Sequence, residues 1–201
     1  MAGRQITRGR YAALAGMAGH VLTAGCGTPR PATAAASAAP AGTLLVGALR
    51  PVAGTLTYLG TVAGTEALIG ITVHGTRARA YMCDGVLGRA VTLADWFTGA
   101  VRSGTLDAVS GEHRVRLAAR LGGLTATGTI TLADGRAYEF TAPLAPPGGR
   151  AGVFERTGQM LGLPFSAGRI VLPGGGQRGA AEYPTTPVRG HSITYLPLAP
   201  I

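Results

Sequence analysis

The sequence predicts an all-β protein, a small antiparallel barrel or sandwich of about seven to eight short strands. Glycine contributes 33 of the 201 residues and proline 13, whereas aromatic residues make up only 5 %. From about residue 55 onward, apolar and polar residues alternate with a period of two, which is typical of half-buried strands. Gly-Gly and Asp-Gly pairs separate several of these segments and favour hairpin turns. Closure into a barrel would leave no exposed sheet edge.

The first segment of the chain is not predicted to belong to this domain. Residues 1–10 carry three arginines and no acid, and residues 11–25 are uncharged and mostly apolar. A membrane-spanning helix needs about 20 apolar residues, and this run is shorter and contains His20. We therefore interpret residues 1–25 as a signal peptide.

The signal segment ends in Leu22-Thr23-Ala24-Gly25-Cys26, which resembles the lipobox of bacterial lipoproteins. The resemblance implies cleavage before Cys26 and attachment of a diacylglyceryl group to its sulfur. Thr23 departs from the family, which usually has leucine at that place. Two acyl chains anchor a protein durably, since each buried methylene contributes roughly 0.8 kcal/mol. The resemblance thus implies a protein held by a lipid at the extracytoplasmic face of the cell membrane, with that membrane as its partner.

Two alternatives for the N-terminus stay open, and a third is disfavoured. Cleavage after Ala36-Ser37-Ala38 would release a soluble secreted protein. A chain that is not cleaved would stay in the cytosol. A twin-arginine signal needs an adjacent pair, and Gly9 separates Arg8 from Arg10.

The predicted organisation continues with a tether, a domain and a tail. Residues 26–43 comprise the lipid-bearing cysteine and an Ala/Pro-rich tether, whose composition predicts disorder. The β-rich domain is predicted over 44–174 and a Gly/Pro-rich tail over 175–201. Removing the signal peptide takes away three arginines and no acid, so the net charge falls from +9 to +6. The arginines are scattered, which argues against a nucleic-acid partner.

The first half of the domain is predicted to contain three strands and a crossover. The strands are placed over 55–62, 66–74 and 76–83. Residues 92–99 predict a short helical turn or irregular crossover, which would place Trp96 and Phe97 at one end of the core.

A three-strand meander is predicted next, over 113–121, 124–132 and 136–144, with turns at Gly122-Gly123 and Asp134-Gly135. The positions predicted to face the core are Val115, Leu117, Ala119, Leu121, Leu124, Ala126, Gly128, Ile130, Leu132, Tyr138, Phe140, Ala142 and Leu144. A row of threonines, Thr125, Thr127, Thr129 and Thr131, is predicted to face outward. Residues 151–156 and 169–173 would add two further strands.

Six sequence blocks along the domain together suggest a relationship. They are AYMCDG at 80–85, DWFTG at 95–99, GTITLADGR at 128–136, FTA at 140–142, AGVF at 151–154 and IVLP at 170–173. In this order they resemble a domain of uncharacterised exported proteins of actinobacteria, over roughly residues 55–180. Val153 and Phe154 stand where leucine and tyrosine are expected. The resemblance implies an extracytoplasmic β domain and assigns no catalytic residue.

No metal centre and no cofactor are expected. Outside the signal peptide the histidines are His74, His113 and His191, and no two of them have ligand spacing.

Cys83 follows a strand-like apolar run and is expected to be a buried, inert thiol if Cys26 is acylated. A disulfide between these two cysteines is the alternative. A Cys83–His74 dyad is disfavoured, because a hairpin about Gly75 would hold the two side chains apart.

Asp84 and Asp95 are the best carboxylate pair for an envelope hydrolase, because two carboxylates flanking one bond can cleave a sugar linkage. Both adjoin turn residues, however, where aspartate usually accepts backbone N–H groups. No G-x-S-x-G sequence is present for a serine nucleophile. The sequence therefore favours a protein that is not an enzyme, with the hydrolase as the alternative.

Two groups of residues are candidates for binding. Arg114, Arg116 and Arg120 lie on one face of a predicted strand and suit anionic envelope polymers or lipid headgroups, each contributing about 1 kcal/mol. Trp96 and Phe97, if exposed, suit contact with a ligand or another envelope protein, and core packing is the alternative. The expected function is that of a non-catalytic binding or structural module of the cell envelope.

Overall fold

The computed structural model describes residues 50–54, 56–111, 114–160, 163–185 and 192–200. The predicted signal peptide, Cys26 and the predicted tether lie outside these described residues. Every regular element in the described part of the chain is a β strand. The strands are β1 (Arg50–Pro51), β2 (Leu56–Val62), β3 (Leu68–His74), β4 (Arg77–Cys83), β5 (Ala94–Arg102), β6 (Thr105–Ser110), β7 (Arg116–Leu121), β8 (Thr125–Thr131), β9 (Ala137–Pro143), β10 (Gly152–Met160), β11 (Leu163–Val171), β12 (Gln177–Thr185) and β13 (Ser192–Pro197).

Strands β2 to β9 form a closed barrel in which each strand pairs antiparallel with the next. The barrel closes where β2 meets β9, with Thr61 opposite Thr141 and Val62 opposite Phe140. The Tyr58 hydroxyl donates a 2.7 Å hydrogen bond to the carbonyl of Gly122, in the turn between β7 and β8. This bond joins two parts of the barrel that are 64 residues apart in the chain.

Apolar side chains fill the barrel interior. Its largest fully buried members include Tyr58, Phe97, Ile69, Ile71, Met82, Leu106, Leu117 and Ile130. On β6 the buried Leu106, Ala108 and Ser110 alternate with the exposed Thr105, Asp107 and Val109. The period of two thus produces one filled core, which is usual for an eight-stranded barrel.

Strands β1 and β10 to β13 form a second antiparallel sheet in the order β1-β10-β11-β12-β13. This sheet packs on the outside of the barrel over β3 and β4. Leu59, Leu68, Tyr81 and Cys83 of the barrel join a second buried cluster with Val153, Ile170 and Ala180 of the sheet. As a result β3 is buried on both faces, from Leu68 to Val73.

Two glycines allow the barrel and the second sheet to approach closely. A Cβ atom on Gly168 would lie 2.4 Å from the ring of Tyr81, and one on Gly70 would lie 2.3 Å from a methyl group of Val153. With a side chain at either position, Tyr81 or Val153 would have to shift, because interiors are close-packed. The hydrogen bond from the Gly179 N–H to the carbonyl of Gly85, at 3.1 Å, adds a polar contact across the same boundary.

The predicted all-β class is confirmed, and of the two predicted architectures the structure contains the barrel. The predicted meander corresponds to β7, β8 and β9, which pair in sequence order. The three predicted upstream strands correspond to β2, β3 and β4.

The prediction of a helical turn or crossover over 92–99 is wrong, because β5 begins at Ala94 and continues to Arg102. In β5 the buried Asp95 shares the inward side with Phe97, opposite Met82 and Ala80 of β4. Trp96 lies on the outward side, opposite Tyr81. Because a charged residue faces inward and a tryptophan faces outward, the apolar and polar residues of this strand do not alternate as expected for a half-buried strand.

The exposure of Leu124 and the end of the domain also differ from the sequence prediction. Leu124, predicted to face the core, is 79 % exposed, because it belongs to the turn before β8. The segment assigned to a tail over 175–201 contains β12 and β13, so the domain extends beyond residue 174. Its glycine content is partly a turn feature, since Gly175 adopts a φ of 84° between β11 and β12.

Candidate functional site

The arginine face predicted from the sequence lies on β7. Arg116 and Arg120 both project outward and are exposed, and Arg114 is exposed just before the strand. Positions four residues apart in a strand lie on the same side, about 13 Å from one another. In the barrel order, β7 is four strands away from β3. The arginine face is therefore on the side of the barrel opposite the second sheet.

Threonines flank the arginines across the strands. Arg116 is opposite Thr131, and Arg120 is opposite Thr127 on β8 and Thr105 on β6. The outward threonine row predicted on β8 is therefore next to the arginines. Hydroxyl donors and guanidinium donors thus share one open surface, and both types of group donate to anionic oxygens.

Within the described ranges, only one of the three arginines on this face forms an ion pair. Arg116 forms an ion pair with Asp107 at 3.4 Å, and both side chains are 64 % exposed. Among the described residues, Arg114 and Arg120 form no such pair. An exposed ion pair contributes only about 0–1 kcal/mol, so Asp107 competes weakly with an external anion.

Trp96 and Phe97 are separated by the barrel wall. Phe97 is buried inside the barrel, as the core-packing alternative predicted. The Trp96 ring lies 4.4 Å from the ring of Tyr81, and the guanidinium of Arg79 lies 4.5 Å from its centre. Arg79 also pairs with Glu155 of the second sheet at 2.5 Å. The tryptophan thus belongs to the joint between barrel and sheet rather than to an open contact surface.

Asp84 holds together the loop between β4 and β5. Its carboxylate accepts hydrogen bonds from the backbone N–H groups of Thr92, at 3.0 Å, and Leu93, at 3.1 Å. The hydroxyl of Thr92 donates to the same carboxylate. This is the loop-capping arrangement that the turn position predicted for Asp84.

The two candidate carboxylates line different cavities at this end of the barrel. Asp84 lines a cavity of about 560 Å³ together with Glu66, Arg89, Arg136 and Tyr138. Asp95 lines a cavity of about 340 Å³ that also includes Asp134 and Tyr195. The two cavities are adjacent, since Thr92, Leu93 and Leu132 line both. Asp84 is engaged by the backbone of its own loop, so its carboxylate serves there as a loop cap.

Charged neighbours at this end of the barrel are already paired. Arg89 pairs with Glu66, and Arg136 pairs with Asp134 at 2.7 Å. Hydrogen bonds from the backbone N–H and the guanidinium of Arg136 lower the pKa of Asp134. A ligand at this end would have to compete with these internal pairs.

Cys83 is buried and forms no disulfide with another described residue. Burial raises the pKa of its thiol to about 11, although the Gly85 N–H donates to the sulfur at 3.2 Å and opposes the change. Cys83 is opposite Leu68 on β3, whereas His74 is exposed at the other end of that strand. Six residues of strand span about 20 Å, so no Cys83–His74 dyad forms.

Within the described ranges, no group of three His, Cys, Asp or Glu side chains could hold a metal ion. His113 and His191 lie outside those ranges, as does the predicted lipidation site Cys26. The described residues include no helix that is long and apolar enough to cross a membrane.

Two features of the second sheet were missed by the sequence analysis. Arg169 is only 4 % exposed, and its guanidinium donates to the carbonyl of Ala199; burial lowers the pKa of its side chain. A cavity of about 800 Å³ lies beside β1, between segments near residues 51, 150 and 172. Neither feature has a local sequence signal, because each depends on segments that are far apart in the chain.

Comparisons with protein-family models, with curated proteins and with solved structures found no match for this chain.

Proposed function

We propose that the protein is an exported, lipid-anchored, non-catalytic binding module of the cell envelope. The signal segment, the lipobox resemblance at Cys26 and the Ala/Pro-rich tether support export and anchoring. The six sequence blocks that resemble exported actinobacterial proteins support the same location. The predicted tether over 26–43 would let the β domain stand away from the membrane surface.

The observation that carries the binding role is the arginine face on β7. It is exposed, Arg116 alone of its arginines is ion-paired to a described residue, and it lies across the barrel from the second sheet. We propose that this face binds anionic polymers of the envelope. Several weak contacts along a polymer add up, so a shallow open surface suits an extended polyanion better than a small ion.

The anchoring proposal is tested by mass spectrometry of the N-terminus of the protein isolated from its native cells. We expect a chain that begins at Cys26 and carries the mass of a diacylglyceryl group. A Cys26→Ser variant should lose this mass and leave the membrane fraction. A native chain that retains Met1, or one that begins after Ala38, would overturn the anchor.

The polyanion proposal is tested by retention of the purified protein on immobilised heparin at increasing salt. Replacing Arg114, Arg116 and Arg120 together with Gln should weaken binding at low salt by on the order of 100-fold, because each arginine contributes about 1 kcal/mol near an anionic surface. Wild-type retention should also decrease steeply with salt.

A matched control separates the arginine face from net charge. Replacing Arg50, Arg77 and Arg89 with Gln removes the same charge from exposed positions outside the arginine face. This variant should keep most of the retention. Equal losses in the two triple variants would show that binding follows net charge alone and would overturn the assignment to the arginine face.

A further inference from the structure

The largest cavity described above, of about 800 Å³, lies beside β1 of the second sheet, where Thr57 of the barrel also lines it. Three segments surround it: the entry at Pro51–Val52, the connection 146–154 that leads into β10, and the turn 171–177 between β11 and β12. Cavities of roughly 300–1,000 Å³ are the usual size for small-molecule sites in proteins. We call it the entry cavity, because the chain enters the described domain beside it.

The wall of the entry cavity is mainly hydrocarbon. Its apolar members are Pro51, Val52, Pro146, Ala151, Val153, Phe154, Val171, Leu172 and Pro173. Three of these are prolines, which carry no backbone N–H donor. Phe154 and Leu172 are only half-buried, so the wall keeps apolar surface that a ligand could cover. A polar ligand would find few partners there, whereas an alkyl chain would gain from each methylene it buries.

Charge is present only at one place in this wall. Arg150 is exposed and lines the cavity, and the lining contains no acidic residue. Arg150 forms no ion pair with another described residue. The cavity thus combines an apolar wall with one available guanidinium, which is complementary to an anionic group joined to an alkyl chain.

We propose that the entry cavity binds the alkyl chain of a single-chain anionic amphiphile, a long-chain fatty carboxylate, with Arg150 pairing with the carboxylate. Its relation to the membrane rests on the proposed function: a tether from Cys26 would arrive at Arg50, next to Pro51 in the cavity wall. In an anchored protein the site would then face the source of acyl chains. The binding chemistry itself requires no anchor.

The test uses the full chain carrying Cys26→Ser, so that no anchor of its own is attached, and the fluorescent fatty acid 11-dansylaminoundecanoic acid. We expect saturable binding of one probe per chain, displaced by palmitate and not by acetate. Arg150→Gln should weaken palmitate binding about five-fold and leave binding of methyl palmitate unchanged. That difference would report the carboxylate contact.

A cavity-filling variant locates the binding. Gly149 lines the cavity, is exposed, and has only the Ala151 nitrogen, at 3.7 Å, near the position of an added Cβ. Gly149→Trp should therefore fold and reduce probe affinity at least ten-fold. Gly123→Trp is the matched control, since Gly123 is exposed in a barrel turn with open space around it, and it should bind like the parent.

Three outcomes would overturn the proposal: no saturable binding, equal affinity in the two tryptophan variants, or binding that appears only when residues 44–49 are deleted. The last outcome would mean that the chain's own apolar segment fills the cavity. Because the binding assay uses a chain without an anchor, and the anchor is tested by the native N-terminus, either proposal can fail while the other holds.

Discussion

At the scale of single residues, burial decides what the reactive groups of this protein can do. Cys83 has the chemistry of a nucleophile but lies in the cluster between barrel and sheet, next to Tyr81. Burial raises the pKa of the Tyr81 hydroxyl well above its usual value as well. A thiol that stays protonated at neutral pH is a poor nucleophile. The buried position of Cys83 therefore predicts a poorly nucleophilic thiol.

Stability should depend on pH through this thiol. The pKa of Cys83 rises from 9.0 to about 11 in the folded protein. Between these values the unfolded chain loses the proton that the native chain keeps, so the thiol favours folding at lower pH and this contribution is lost as pH rises. The free energy of unfolding of the wild type, relative to Cys83→Ala, should fall by about 2–3 kcal/mol from pH 9 to 11. Urea unfolding at both pH values measures it, and a pH-independent difference would contradict it.

At the scale of elements, the close packing of β11 against β4 requires a glycine at position 168. Gly168 on β11 faces the ring of Tyr81 on β4, and this ring is itself packed against Trp96. The aromatic pair has no free side to move toward, since Tyr81 is 2 % exposed. The glycine is needed here for close approach and not for turn geometry.

Gly168→Ala should destabilise the protein by about 1–3 kcal/mol, because the added methyl group overpacks the joint. Gly174→Ala is the matched control, since an added Cβ there would meet nothing within 4 Å, and it should change stability by less than about 0.5 kcal/mol. Denaturant midpoints of the two variants measure the difference. Equal midpoints would mean that the sheet can shift away from β4 at little cost.

At the scale of the whole molecule, barrel and second sheet share one buried cluster and so should unfold together. Trp96 is the only tryptophan in the chain, and it lies at their joint, where Arg79 connects its ring to Glu155. Its fluorescence therefore reports the docking of the sheet on the barrel. Far-UV circular dichroism reports the strands of both.

The two signals should give coincident unfolding transitions. A Glu155→Gln variant removes the carboxylate that pairs with Arg79 and should lower both midpoints by the same amount. If the fluorescence transition of either protein came first, the sheet would separate from a barrel that remains folded. That result would contradict a single cooperative unit.

What the sequence alone determined is local. The threonine row of β8, the alternation in β7 and the Asp134-Gly135 turn are complete within a few residues, so they predict strands, faces and hairpins correctly. The exposed arginines of β7 follow from the same alternation. The prediction for 92–99 was wrong. There Asp95 faces inward and Trp96 faces outward, and both are covered by segments that are distant in the chain. The residues of the strand itself give no indication of that burial.

Tertiary structure alone decided the rest. Closure pairs Thr61 with Thr141, and the second sheet hides one side of β3 and β4. The same long-range packing puts Asp84 and Asp95 in adjacent cavities, buries Arg169 and brings Arg150 to the wall of the entry cavity. Side-chain periodicity is a property of one strand, whereas burial and cavities depend on which distant strands become neighbours. For this reason the class of fold can be read along the chain, and the sites emerge only once the barrel and sheet have packed together.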